Sequence, residues 1–142
     1  MLTEEQRIEL HELGNLYNLQ FIVLHGSYAT GKTHSGSDLD IAVLGKHLLS
    51  RQELTELYGK LSTIFGDCSE RELDLASLHK ADPLFLYYVV KQGVLLYGDK
   101  TSFLEFQTYA KHLFEDAKKL FELEKFMIIK QNNLILKAHQ HA

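Results

Sequence analysis

Among the chain's 142 residues there is one cysteine, Cys68, one proline, Pro83, and no tryptophan. A lone thiol cannot close an internal disulfide, and a lone thiolate cannot assemble a structural zinc set, so the fold must hold by packing in a reducing setting. Positive charge is in short supply too. Fifteen Lys and Arg stand against nineteen Asp and Glu, a formal charge of −4, which leaves no excess to attract a phosphate backbone. Direct nucleic-acid binding is therefore not expected. The opening stretch MLTEEQRIEL has neither a basic leader nor a long apolar run, so no signal peptide, membrane span or membrane partner is expected and the setting reads as cytoplasmic. His139 and His141 read as a solvated tail rather than a metal site.

What is present is enough for one core. At 45% hydrophobic, residues 1–142 are expected to form a single domain, with a core over about residues 20–100 and a terminal helix over about 102–136. Thr3 with Gln6, Ser50 with Glu53 and Ser102 with Glu105 each have capping-box spacing and predict three helix starts. Asp82 followed by Pro83 predicts a fourth, running to Gly93. The short β-branched runs Phe21 to His25 and Leu39 to Leu44 predict buried strands. Arg71 to Ala76 alternates polar and apolar residues like a strand with one wet face, and Val94 to Tyr97 predicts a short last strand. The order α-β-loop-β-α-β-α-β-α predicts an α+β fold: a small mixed β-sheet flanked by helices, with a long C-terminal helix.

The loop between the first two strands fits two patterns. Gly26-Ser27-Tyr28-Ala29-Thr30-Gly31-Lys32-Thr33 matches the P-loop spacing, but a P-loop needs a helix beginning at its Lys-Thr end. Only five residues separate Thr33 from the next strand, whereas a parallel crossover needs about ten or more. The second pattern is longer: Gly26-Ser27, ten residues, then Asp38-Leu39-Asp40. Residues i and i+2 of a strand share a face, so Asp38 and Asp40 present two carboxylates to one spot while Leu39 and Ile41 turn to the core. Adjacent carboxylates repel unless a cation lies between them, and Mg²⁺ takes hard oxygen ligands of this kind. Asp74, alternating with Leu73 and Leu75, supplies a third carboxylate. Asp67, Glu70 and Glu72 compete for that role, although Asp67 beside Gly66 reads better as a turn residue.

This three-part pattern resembles the polymerase-β-like nucleotidyltransferase superfamily in its minimal, MNT form. The resemblance implies that Asp38, Asp40 and Asp74 hold two Mg²⁺ ions and the triphosphate of ATP, with Asp74 on the metal that activates an acceptor hydroxyl. Gly26, Ser27, Lys32 and Ser37 are the expected phosphate-lining residues, although Ser37 reads equally well as a plain loop residue. Lys32 reads equally well as a solvated loop lysine. Where many members carry arginines soon after the Gly-Ser pair, this chain has Tyr28 and Thr30. His25 reads as a packed strand-end histidine.

Stand-alone MNT proteins pair with HEPN-domain ribonucleases as antitoxin and toxin, and the resemblance implies transfer of AMP from ATP to a tyrosine of such a partner. Two other functions stay open: transfer to an aminoglycoside-like small molecule, and neutralisation by binding alone. The apolar residues of the terminal helix exceed one stripe, so the excess is expected to dock a partner helix or, equally, to be covered within this domain or by a second copy of the chain.

Overall fold

A computed structural model describes residues 2–33, 38–66 and 72–140. Two of the three capping boxes form as the spacing predicts. Thr3 opens α1 (Glu4–Leu16) and Ser50 opens α3 (Arg51–Phe65), each with its side-chain oxygen taking the N3 amide while the N3 side chain returns to the cap amide. Each box satisfies two amides that a helix start leaves without partners. The third box is a correction. The last helix, α5 (Lys100–Gln140), starts before Ser102, whose amide and hydroxyl both donate to the Asp99 carboxylate at 2.9 and 3.1 Å. These bonds hold Asp99 below the usual carboxylate range. A charged acceptor at the positive end of a helix outcompetes a hydroxyl three residues further on.

The strands are β1 (Leu19–His25), β2 (Leu39–Gly45), β3 (Leu73–Ser77) and β4 (Val94–Tyr97), in the order β3-β2-β1-β4. β1 runs antiparallel to both β2 and β4, whereas β2 and β3 are parallel and α3 forms the crossover between them. The expected start of β3 at Arg71 lies outside the described residues. α4 (Pro83–Gln92) begins with its proline at the first turn and the Asp82 carboxylate accepting from the Leu84 amide at 2.9 Å.

Alternation sorts each strand between two cores. Ile22, Leu39, Ile41, Val43 and Leu73 face α1 and α3, where Leu10, Leu13, Leu57 and Leu61 close over them. Phe21, Val23, Ala42 and Leu44 face the other way, against Leu86, Val89 and Val90 of α4 and Phe103 and Ala110 of α5. A register shift between Leu19 and Phe21 lets Leu19 join the first core although it lies three residues from Ile22. On the second face the Phe21 ring meets Phe103 edge-on at 5.3 Å and Phe106 at 5.5 Å. Full burial of a phenylalanine contributes about 1.5–3 kcal/mol, so this cluster seats the start of α5 on the sheet. The result is an α+β fold, a four-stranded mixed sheet flanked by helices with a long C-terminal helix, as the sequence predicts. No helix among the described residues is long and apolar enough to cross a membrane.

Candidate active site

The carboxylates lie where the second face passes the end of its helical cover. Asp40 follows the parity of Ala42 and Leu44, so its side chain leaves the sheet on that face, and it is only half-buried. The parallel register places Asp40 beside Asp74 of β3. The antiparallel register on the other side places Asp40 opposite His25. Asp38, just before β2, is exposed, as is Asp74. Strand pairing therefore brings the three sequence-predicted aspartates to one edge of one face.

Their electrostatics register the crowding. Burial pushes the Asp40 carboxyl above the usual range, and repulsion from Asp74 and then from Asp38 pushes it further the same way. A cation relieves both repulsions, and the donor set of hard carboxylate oxygens suits Mg²⁺. Among the described residues no group of three or more His, Cys, Asp or Glu side chains closes into a metal cage. Magnesium commonly takes one or two carboxylates and completes its octahedron with water and substrate phosphates.

Gly26 is shaped around Asp40. Its φ of +73° lies in the left-handed region, and a Cβ built there would collide with Asp40 Oδ2. Glycine thus serves twice, by making the turn and by leaving room for the carboxylate. Ser27 begins a single helical turn, α2 (Ser27–Thr30), which the sequence did not predict. Gly26 carbonyl accepts from the Ala29 and Thr30 amides at 3.1 and 3.3 Å, and Ser27 carbonyl from the Lys32 amide at 3.0 Å. The turn ends at Gly31 with φ +74°. A helix thus begins at the Gly26 end rather than at Lys32-Thr33, and β1 and β2 are antiparallel, so the loop is not a P-loop. Lys32 is exposed, and among the described residues its ammonium forms no ion pair with a carboxylate. Ser37, Asp67 and Glu70 lie outside the described residues. Glu72 is exposed just before β3, and its carbonyl accepts from the Leu39 amide at 2.8 Å.

His25 is 7% exposed, and among the described residues its Nε2 has no hydrogen-bond partner. Burial lowers its pKa, while Asp74 acts in the opposite direction. The neutral ring meets Phe85 of α4 edge-on at 5.9 Å. Sequence reading had no access to this contact. The hint was that His25 and Asp40 terminate the two buried runs flanking one loop, which an antiparallel pairing makes neighbours.

The sequence model of the family described as "Polymerase beta, Nucleotidyltransferase" matches residues 9–102, a stretch that contains every element from β1 to β4. The chain belongs to the polymerase beta nucleotidyltransferase family. Within the family it is 38% identical over 84 residues to protein adenylyltransferase MntA of Shewanella oneidensis, covering 59% of this chain and 58% of that protein. The alignment thus spans less than two thirds of that relative. A chain in the crystal structure of a toxin–antitoxin with AMP-PNP superposes with a TM-score of 0.66 at 28% identity, over 85% of this chain and 98% of the other. A chain in the structure of tri-AMPylated Shewanella oneidensis HEPN toxin with MNT antitoxin superposes with a TM-score of 0.62 at 26% identity, over 87% and 98%.

Proposed function

We propose that this member of the nucleotidyltransferase family is an antitoxin that transfers AMP from ATP to a tyrosine hydroxyl of a HEPN toxin, using Asp38, Asp40 and Asp74 with Mg²⁺. The observation that carries the reading is the lateral pairing of Asp40 with Asp74 beside exposed Asp38. It is supported by the adenylyltransferase likeness and by AMP-PNP and an AMPylated HEPN toxin in the complexes of similar chains.

Asp38 and Asp40 would hold both cations and the triphosphate, with Asp74 on the cation at the acceptor hydroxyl. Magnesium, when bound, supplies charge neutralisation on the phosphate oxygens and lowers the cost of ionising the acceptor hydroxyl. The chain's own groups do the rest. The Gly26-Ser27 turn would let the phosphates approach the backbone closely, and the Ser27 hydroxyl can donate to a phosphate oxygen. Lys32 and Ser37 would add contacts to the phosphates. Asp74, exposed at the edge of the face, meets an incoming hydroxyl first and accepts its proton. The hydroxyl oxygen then bonds to the α-phosphorus as the bond from that phosphorus to the bridging oxygen breaks, and pyrophosphate leaves with the electron pair.

The test is to incubate the chain with ATP, Mg²⁺ and a HEPN toxin and to read the toxin by intact and fragment mass spectrometry. A gain of AMP units on a tyrosine, absent with Asp38→Asn, is the expected result. A toxin silenced equally by wild type and Asp38→Asn with no mass gain contradicts it and leaves binding alone as the function.

A further inference from the structure

Among the described residues, nothing packs over more than half of α5. Residues 118–140 are exposed without a break, a stretch of about 34 Å at 1.5 Å per residue. Leu120, Met127 and Leu134 are 58, 60 and 59% exposed. A solvated helix of this length has no need of such residues, and most helical stability in proteins comes from packing an amphipathic face.

Their spacing is informative. In the proximal half, Phe103, Phe106, Ala110 and Leu113 follow the alternating three- and four-residue steps of a heptad seam, and this seam packs against the second face and α4. The same steps continue through Ala117, Leu120, Glu124, Met127, Gln131 and Leu134. One seam therefore runs the length of the helix, covered over its first half and open over its second. A seven-residue repeat averages 3.5 per turn, the period that a partner helix selects, whereas a helix lying in a membrane surface follows 3.6. Glu124 and Gln131 interrupt the seam as polar residues that set register do. Phe126, Ile129 and Leu136 fall outside it, so the apolar surface is wider than one stripe and fits a groove between helices.

Charge decides the occupant. Residues 118–140 carry Lys118, Lys119, Lys125, Lys130 and Lys137 against Glu122 and Glu124, in a chain whose overall balance is −4. Two copies paired along this segment would set lysines against lysines. An acidic rim on a different protein would neutralise them. We propose that residues 118–140 dock into an inter-helix groove, rimmed by carboxylates, on a protein partner, and so hold that partner while the aspartate site acts on it. This rests on the reading above that a HEPN toxin is the acceptor.

Three preparations of the full chain test it: wild type, a seam variant with Leu120→Glu, Met127→Glu and Leu134→Glu, and a charge variant with Lys118→Glu, Lys125→Glu and Lys137→Glu. Each is titrated with purified HEPN toxin by calorimetry, sedimented alone, floated with anionic phosphatidylserine vesicles, and assayed for ATP·Mg²⁺ binding. Both variants are expected to bind ATP as wild type does. The seam variant is expected to lose at least about 100-fold in toxin affinity and the charge variant about 10-fold, with wild-type affinity falling as salt rises. Wild type alone is expected to sediment as a monomer and stay off vesicles. Unchanged toxin affinity in both variants overturns the docking surface even if AMP is transferred. A wild-type dimer abolished in the seam variant, or flotation with vesicles, overturns it in favour of a second copy or a membrane. Toxin affinity lost in the variants without any AMP transfer by wild type upholds the docking and overturns the transfer reading instead. Because the charge variant keeps every apolar residue, it also serves if the seam variant misfolds.

Discussion

The two faces of the sheet are cut from alternate residues of the same strands, yet they end differently. On the first face β2 contributes Leu39, Ile41 and Val43, each 5% exposed or less, and α1 and α3 cover the run from end to end. On the second face β2 contributes Asp40, Ala42 and Leu44. Helices α4 and α5 cover the last two and leave the first beside Asp74 and Asp38. The first face spends its whole length on stability, whereas the second gives its first position on β2 to charge. A carboxylate there is tolerated because its neighbours on both sides are rigidly paired strands, which also fix where it points.

Removing charge from the second face is expected to give the largest effect. Asp40→Asn should lower AMP transfer by about 10³-fold, about 4 kcal/mol in barrier, with the fold intact by circular dichroism. The counterpart on the first face, Ile41→Ala, should cost about 2–5 kcal/mol in urea unfolding while the surviving native fraction transfers AMP at a rate near wild type. A smaller effect is expected where backbone and charge meet. Gly26→Ala forces a Cβ into the left-handed region against Asp40, costing about 1–2 kcal/mol of stability and lowering kcat more than it raises KM for ATP.

The smallest effect separates the faces by sign. The folded pKa of Asp40 lies above its ordinary 3.8, so the native state holds that proton more tightly and the fold loses stability as pH rises through the raised value. In metal-free protein Asp40→Asn should therefore raise Tm slightly at pH 7, with the gain vanishing below roughly pH 3.8. Mg²⁺ with ATP should stabilise wild type and not the variant. A drop in Tm for Asp40→Asn would mean that the aspartate is structural and that the contrast between the faces is false.

The sequence was legible wherever one residue's chemistry decides a local outcome. Capping boxes at Thr3 and Ser50, the proline at the start of α4 and the β-branched runs of β1 and β2 each carry their signal within a few residues. The shared face of Asp38 and Asp40 was legible for the same reason, whereas Asp74 stood out from Asp67, Glu70 and Glu72 only through its alternating run and the family resemblance. Misses arose where two neighbouring signals competed or where tertiary pairing decides. Ser102 has the spacing of a cap, but Asp99 binds it and takes the helix start. The turn at Ser27–Thr30 is too short to show a period. The contact of His25 with Phe85 depends on how α4 crosses the second face, which no local pattern encodes.

The claim that the uncovered end of the second face is a transfer site is tested most directly with ATP labelled at the α-phosphate. Wild type and Asp40→Asn are mixed with Mg²⁺ and HEPN toxin under single-turnover conditions, both proteins having been shown to be folded at the assay temperature. Label should pass to the toxin with wild type and fall by about 10³-fold with Asp40→Asn. Equal labelling by the two proteins would contradict the assignment of this carboxylate, and with it the site.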